Sequence, residues 1–136
     1  MPLARTRILG VQLYKFKIQG FLQWGYNFYN TQYSLEHINP YAVTDAGGAF
    51  PSGDAFVVYP GKNGKAEESL RLMAMDQAMT DLRALQKLES LAGRDFVMQL
   101  IEGELAQPIT FKVYPKSAEY LIRLRNRVNE EIAARS

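Results

Sequence analysis

Residues 20–30, GFLQWGYNFYN, gather the side chains with the most evident chemistry in this sequence. Trp24, Tyr26, Asn27 and Asn30 place an indole, a phenol and two amides close together along the chain. A sugar has an apolar C–H face that lies on an aromatic ring and a rim of hydroxyls that amides bond, so this mixture suits a carbohydrate. Trp24 would equally suit the core of a buried strand, and both readings stand. Asp54, directly after Gly53, either adds a carboxylate to the same rim or serves as a turn or cap carboxylate. Glu36 and Asp45 lie within substrate reach in the same loop region. A glycosidase needs two carboxyl groups at a defined separation across the scissile bond, and no spacing in this sequence declares such a pair. Glu36–His37 would make an acid–base pair or, more simply, an exposed loop pair. No catalytic residue is therefore assigned.

These residues must be positioned by one domain of ordinary make-up: 136 residues, 47% hydrophobic and 22% charged. The net charge of +2 comes from basic residues interspersed with acids, which argues against a nucleic-acid partner. Without cysteine there are neither disulfides nor thiolate metal sites, and with His37 as the single histidine a zinc site would need carboxylates for its other ligands. No metal or other cofactor is expected, and the expected compartment is the cytoplasm. No apolar run approaches the roughly 20 residues of a membrane helix, so no membrane partner is expected.

The element pattern begins with a helix over residues 4–19 ending at Gly20, with Ile8, Val11, Lys15 and Ile18 on one stripe; residues 13–16 would also alternate as a strand. Residues 20–30 then read as a buried strand. Residues 31–53, rich in Asn, Pro, Gly, Ser and Asp, predict a long ordered loop pinned by Tyr33, Leu35, Ile38, Tyr41 and Phe50. AFVVY (residues 55–59) predicts a short strand closed by a tight turn at residues 62–64. Leu72, Met75, Met79, Leu82, Leu85, Leu88 and Leu91 recur three or four apart and predict a long helix, started by Ser69 or Glu67–Glu68 and ended at Gly93. Arg71, at its start, is expected to pair with an acid of the loop. A shorter helix capped by Asp95, an extended run over residues 109–115 and a last helix capped by Ser117 complete the chain.

Strand, long loop and long helix in that order form the unit of a parallel α/β fold, whose ligands bind at the carboxyl ends of strands. One or two such strands cannot close a barrel, so the expected fold is α/β: the C-terminal segment of a (β/α)8 TIM-type barrel, incomplete as a barrel, with an appended helix–strand–helix. Residues 1–93 would be its last helix–strand–loop–helix section and residues 94–136 the extension packing on it.

The runs GFLQWGYNFYN, INPY at residues 38–41, PSGDAFVVYPG at residues 51–61 and SLRL at residues 69–72 resemble, in that order, the C-terminal part of the glycoside hydrolase family 123 catalytic domain. The resemblance is strong over residues 5–88 and looser beyond. It implies a barrel and hydrolysis of glycosides of 2-acetamido sugars, in which the acetamido oxygen attacks the anomeric carbon while an adjacent Asp–Glu pair orients it and protonates the leaving oxygen. This sequence contains no Asp–Glu dipeptide, which the family places upstream of the matched segment. The implied function is thus the C-terminal portion of such a hydrolase, inactive alone, with Trp24, Tyr26, Asn27, Asn30 and Asp54 binding sugar. The alternative is a non-catalytic carbohydrate-binding or structural remnant. Either form would need a partner, the N-terminal part of the barrel or a second copy, to cover unpaired edges.

Overall fold

The computed structural model describes residues 3–136, which form two units: residues 3–20 together with Ala74–Ser136, and Phe21–Met73. The first unit is helical. Its chain begins with α1 (Leu3–Arg7) and α2 (Leu9–Lys15). Backbone bonds from Ile8 N to Ala4 O and from Gln12 N to Ile8 O carry the helical ladder across the junction, so the two behave nearly as the one expected helix. That helix stops earlier than Gly20. Lys17 adopts a left-handed φ of 52°, with Lys17 N donating to Tyr14 O and Ile18 N to Leu13 O. This is a Schellman closure with lysine where glycine is usual, and it leaves Gly20 outside the helix.

Helix α3 (Leu70–Ala92) is the long helix expected. Ser69 Oγ accepts from Leu72 N, fixing its start, and Gly93 at φ 84° follows its end. Its first turn belongs to the Phe21–Met73 unit and the remainder to the helical one. The buried face differs from the predicted Leu/Met stripe: Ala74, Ala78, Asp81, Ala84, Leu85 and Leu88 are innermost, while Met75, Met79 and Leu82 are only half-buried. The reason lies in α2, where a Cβ added at Gly10 would run into the carbonyl of Ala78. Backbones this close admit alanine, not leucine, at the crossing.

Helix α4 (Arg94–Glu102) starts from Gly93 without a side-chain cap, and Asp95 sits in its first turn rather than capping it. Helix α5 (Ala118–Ala133) is capped as expected, Ser117 Oγ accepting from Tyr120 N. The extended run predicted over residues 109–115 is instead a turn. Thr110 N donates to Val113 O at 2.7 Å, and Thr110 Oγ1 accepts from Lys112 N and Val113 N. A threonine able to bond its own following amides satisfies locally what a strand would take from a neighbour. One apolar cluster joins these helices, with Ile8, Val11, Leu85, Leu88, Val97, Ile101, Ile109, Leu121 and Val128 at its centre.

Asp81 is buried on α3 at 5% exposure, and two arginines hold it. Arg7 Nε and Nη2 donate to its two oxygens at 2.7 and 3.0 Å, and Arg125 Nη1 donates at 2.8 Å. One carboxylate thereby ties α1 and α5 to α3. Lys15 pairs with Glu102 and also donates to Ile109 O at 2.7 Å, anchoring the end of α2.

The Phe21–Met73 unit is built mainly from turns. Its one sheet is a two-stranded antiparallel hairpin of β1 (Val58–Pro60) and β2 (Ala66–Glu68), in the register Val58–Glu68, Tyr59–Glu67 and Pro60–Ala66. The tight turn at residues 62–64 joins them, with Asn63 and Gly64 at left-handed φ. The buried strand predicted over residues 20–30 does not form. Tyr26 O accepts from both Val57 N and Val58 N, Phe28 N donates to Ala55 O, and a single bridge joins Asn27 to Phe56. Two donors spent on one carbonyl break a ladder as a bulge does, and Gly25 lies against the Asp54–Ala55 backbone where a Cβ would stand 2.6 Å from Ala55 O. Phe21, Leu22, Trp24 and Tyr26 are exposed, Leu22 at 85%.

The apolar run Ala55, Phe56, Val57 and Val58 forms the core of this unit. Phe56 is its hub: Tyr29 and Tyr59 meet its ring edge-to-face at 5.6 and 5.1 Å, and the Arg71 guanidinium covers it at 5.2 Å. Arg71 Nη2 donates to Phe56 O at 2.7 Å, so its partner is a carbonyl, not the loop acid expected. The loop over residues 31–53 is ordered by its backbone and by part of the apolar set predicted to pin it: Tyr41 stacks on Tyr59 at 5.0 Å with its hydroxyl on Pro60 O, and Phe50 packs against Trp24. Tyr33 and Leu35 are exposed, whereas Thr31, Asn39, Thr44 and Asp45 carbonyls close successive turns. Among the described residues no helix is long and apolar enough to cross a membrane.

Candidate functional site

Trp24 is 50% exposed, and its pose is set from three sides. Its ring meets Phe28 at 5.6 Å and Phe50 at 5.1 Å, the latter edge-to-face, while Nε1 donates to Asp54 Oδ2 at 3.1 Å. An indole whose N–H is satisfied and whose ring is braced at its margins loses little freedom when a ligand covers it. Asp54 is placed by Asp54 N donating to Pro51 O, and its own carbonyl accepts from Gln23 Nε2 at 3.1 Å. Gly53, at φ 80°, makes the bend before it, and Arg71 lies where a side chain at Gly53 would go.

Tyr26 is also half exposed, and its backbone is the one clamped to Val57 and Val58. Asn27 and Asn30 are held through their bridges to Phe56 and His37, and among the described residues neither side-chain amide makes a hydrogen bond. Of the five expected sugar-binding residues, the structure joins Trp24 directly to Asp54; it shows no contact joining either amide to that pair. Tyr29, in the same run, turns inward: its hydroxyl donates to Val58 O at 2.7 Å, and burial, then the nearby Tyr26, raises its phenol above the ordinary range.

The loop acids are used differently. Asp45 Oδ1 accepts from Gly48 N, forming an Asx turn, and Glu36 is exposed with its backbone bonded to Thr31. His37 is exposed beside Tyr29 O. Among the described residues no group of three or more His, Asp or Glu side chains is arranged to hold a metal ion.

The family model described as glycoside hydrolase 123, catalytic domain, matches residues 1–88. The chain belongs to this family. Its members' general substrate class, carbohydrate, is thereby this chain's as well, and the matched residues contain Trp24, Tyr26, Asn27, Asn30 and Asp54. Comparison with curated proteins gave no match.

Two features of the molecule were not read from the sequence. The Arg7–Asp81–Arg125 triad had a signal: an aspartate in phase with Ala74, Ala78 and Leu85 on a buried helical face requires a cationic partner. The second strand of the hairpin, AEE, carries no apolar alternation and left no signal at all.

Proposed function

We propose that the chain takes part in glycoside hydrolysis as the C-terminal portion of a family 123 catalytic domain, with Trp24 as the platform for a 2-acetamido sugar. Asp54 and Tyr26 border the ring, and Asn27 and Asn30 supply free amides for hydroxyls. The half-exposed indole fixed through its N–H to Asp54 is the observation that carries this reading. Family membership supports the substrate class. On this reading residues 1–93 belong to the (β/α)8 barrel and residues 94–136 form an extension on it. The reacting Asp–Glu pair is supplied from outside this sequence, which contains no such dipeptide. The acetamido oxygen would attack the anomeric carbon, and this chain's part would be to hold the sugar for that attack.

Trp24 is the single tryptophan, so intrinsic fluorescence reports on this ring alone. Titration with N-acetylglucosamine or N-acetylgalactosamine should change it, and Asp54→Ala should weaken the response about tenfold, the cost of one charge-assisted hydrogen bond. The purified chain should release no aryl group from an aryl 2-acetamido glycoside. An unresponsive indole, or turnover that survives Trp24→Ala, would remove the proposal.

A second reading, a non-catalytic module that associates with another chain, is favoured by Leu22, Tyr33 and Leu35, large apolar side chains left more than three-quarters exposed that a partner surface would cover. Sedimentation separates the two states: a stable monomer at high concentration would count against it.

A further inference from the structure

A cavity lies wholly in the helical unit, where the end of α2 meets the last turns of α3 and the start of α4. It measures about 760 Å³, ample for a monosaccharide. Leu13, Ile18 and Leu82 give it apolar walls, while Lys17, Gln19, Gln86 and Ser90 supply polar groups. Lys17 owes its place there to the left-handed Schellman closure, a conformation glycine would adopt more readily. Strain held by a lysine at a cavity mouth is an observation that points towards use.

Behind this wall is an unfinished hydrogen-bond arrangement. Tyr14 is 4% exposed, and its buried hydroxyl has no hydrogen-bond partner. Arg94 covers the Tyr14 ring at 5.0 Å and donates through Nη2 to Lys15 O at 2.7 Å. Its Nη1 stands 3.6 Å from Glu89 Oε2, an open ion pair. Burial, then the neighbouring Glu89, raises the Tyr14 phenol well above its ordinary value, with Arg94 acting in the opposite sense. Glu89 is thus the acid beside a hydroxyl that has no hydrogen-bond partner.

We propose that this cavity binds a hydroxylated, sugar-sized acid. The ligand carboxylate takes the place of Glu89 on Arg94, with Lys17 as its second cation, and Glu89 turns to accept the Tyr14 hydroxyl. Ligand binding thereby completes a bond that the empty site lacks. Hydroxyls of the ligand meet Gln86 and Ser90, and its C–H face meets the leucines. No covalent bond is made or broken. The site shares no residue with the Trp24 platform and does not depend on it.

The test uses the full chain with D-glucuronate as probe and D-glucose as its neutral counterpart, followed by two-dimensional amide NMR. Glucuronate should shift the Gln86, Glu89 and Ser90 amides, and glucose should not. Tyr14→Phe should raise the thermal midpoint of the free chain, because it deletes an unpartnered buried hydroxyl. The same variant should weaken glucuronate roughly fivefold, because the completed bond is lost. Equal affinity in Tyr14→Phe and the parent, equal response to glucose, or no shift at about 10 mM glucuronate would each overturn the proposal. Shifts confined to the Trp24 indole would overturn it too, while leaving the first site standing.

Discussion

The two units of this molecule reach order by different means. In the helical unit one continuous apolar cluster draws on every helix, and the charged Asp81 and Lys15 that border it are paired. In the Phe21–Met73 unit the apolar core is one short run, residues 55–58, and much of the remaining order comes from turn hydrogen bonds and from aromatic rings arranged about Phe56. Side-chain burial is a cooperative source of stability, whereas solvent-accessible turns open locally at small cost. Most of the large exposed apolar side chains, among them Trp24, Tyr26 and Tyr33, lie in the second kind of structure. The proposed sugar-binding groups are carried by the part of the chain with the least burial to lose.

The largest effect expected from this contrast is at two glycines. Gly10→Ala would ordinarily favour a helix, but its methyl meets the Ala78 carbonyl, and separating α2 from α3 should cost about 3 kcal/mol in global unfolding. Gly25→Ala meets the Ala55 backbone at a similarly tight approach. Its cost should appear as faster hydrogen exchange confined to the loop-rich unit, with the denaturant midpoint of the helices little changed. Equal global losses for both variants would erase the contrast.

Asp81→Asn comes next. Removing the carboxylate leaves Arg7 and Arg125 against an apolar cluster without their common counter-charge. Because both arginines retain solvent contact, the loss should be about 2 kcal/mol rather than the 3–5 of a fully buried pair. Urea unfolding measures it, and an unchanged midpoint would show the triad to be surface decoration.

Alkaline titration should give the smallest effect. Tyr14 and Tyr120 are both raised above the ordinary 10.0, burial being the largest cause for each, with Glu89 adding for Tyr14 and Glu102 for Tyr120. The folded chain therefore keeps protons that the unfolded chain releases above about pH 10. Their contribution is complete below that pH and is lost as the pH climbs towards the folded values. A Tyr14→Phe/Tyr120→Phe double variant should lose stability less steeply above pH 10 than the parent, by urea midpoints on either side; parallel slopes would locate the loss elsewhere.

Helical structure was legible in the sequence because its signals are local. Ser117 before α5, Ser69 before α3 and Gly93 after it act within one turn of where they stand. The buried face of α3 was misread because the close approach of α2 is a tertiary fact that favours alanine over the larger Leu and Met residues. Residues 20–30 failed as a strand for a related reason: aromatic content signals that a pleated surface would suit, not that a neighbour exists to pair with. Within the site, the residue types at Trp24 and Asp54 were readable, but their hydrogen bond spans 30 positions and depends on the bend at Gly53. No periodicity announces a contact of that kind. The barrel expectation came from element order and resemblance, and the sheet present here is a hairpin.

Residues 21–73 enter the chain between α2 and the body of α3, so the helical unit is assembled from two stretches of sequence with this segment as an insert. Insertions, deletions and exchanged aromatics within it can accumulate while the helices retain their own interior. If the proposed sugar site is right, descent with altered sugar preference could proceed by rewriting one contiguous stretch of the gene, without renegotiating the scaffold on either side.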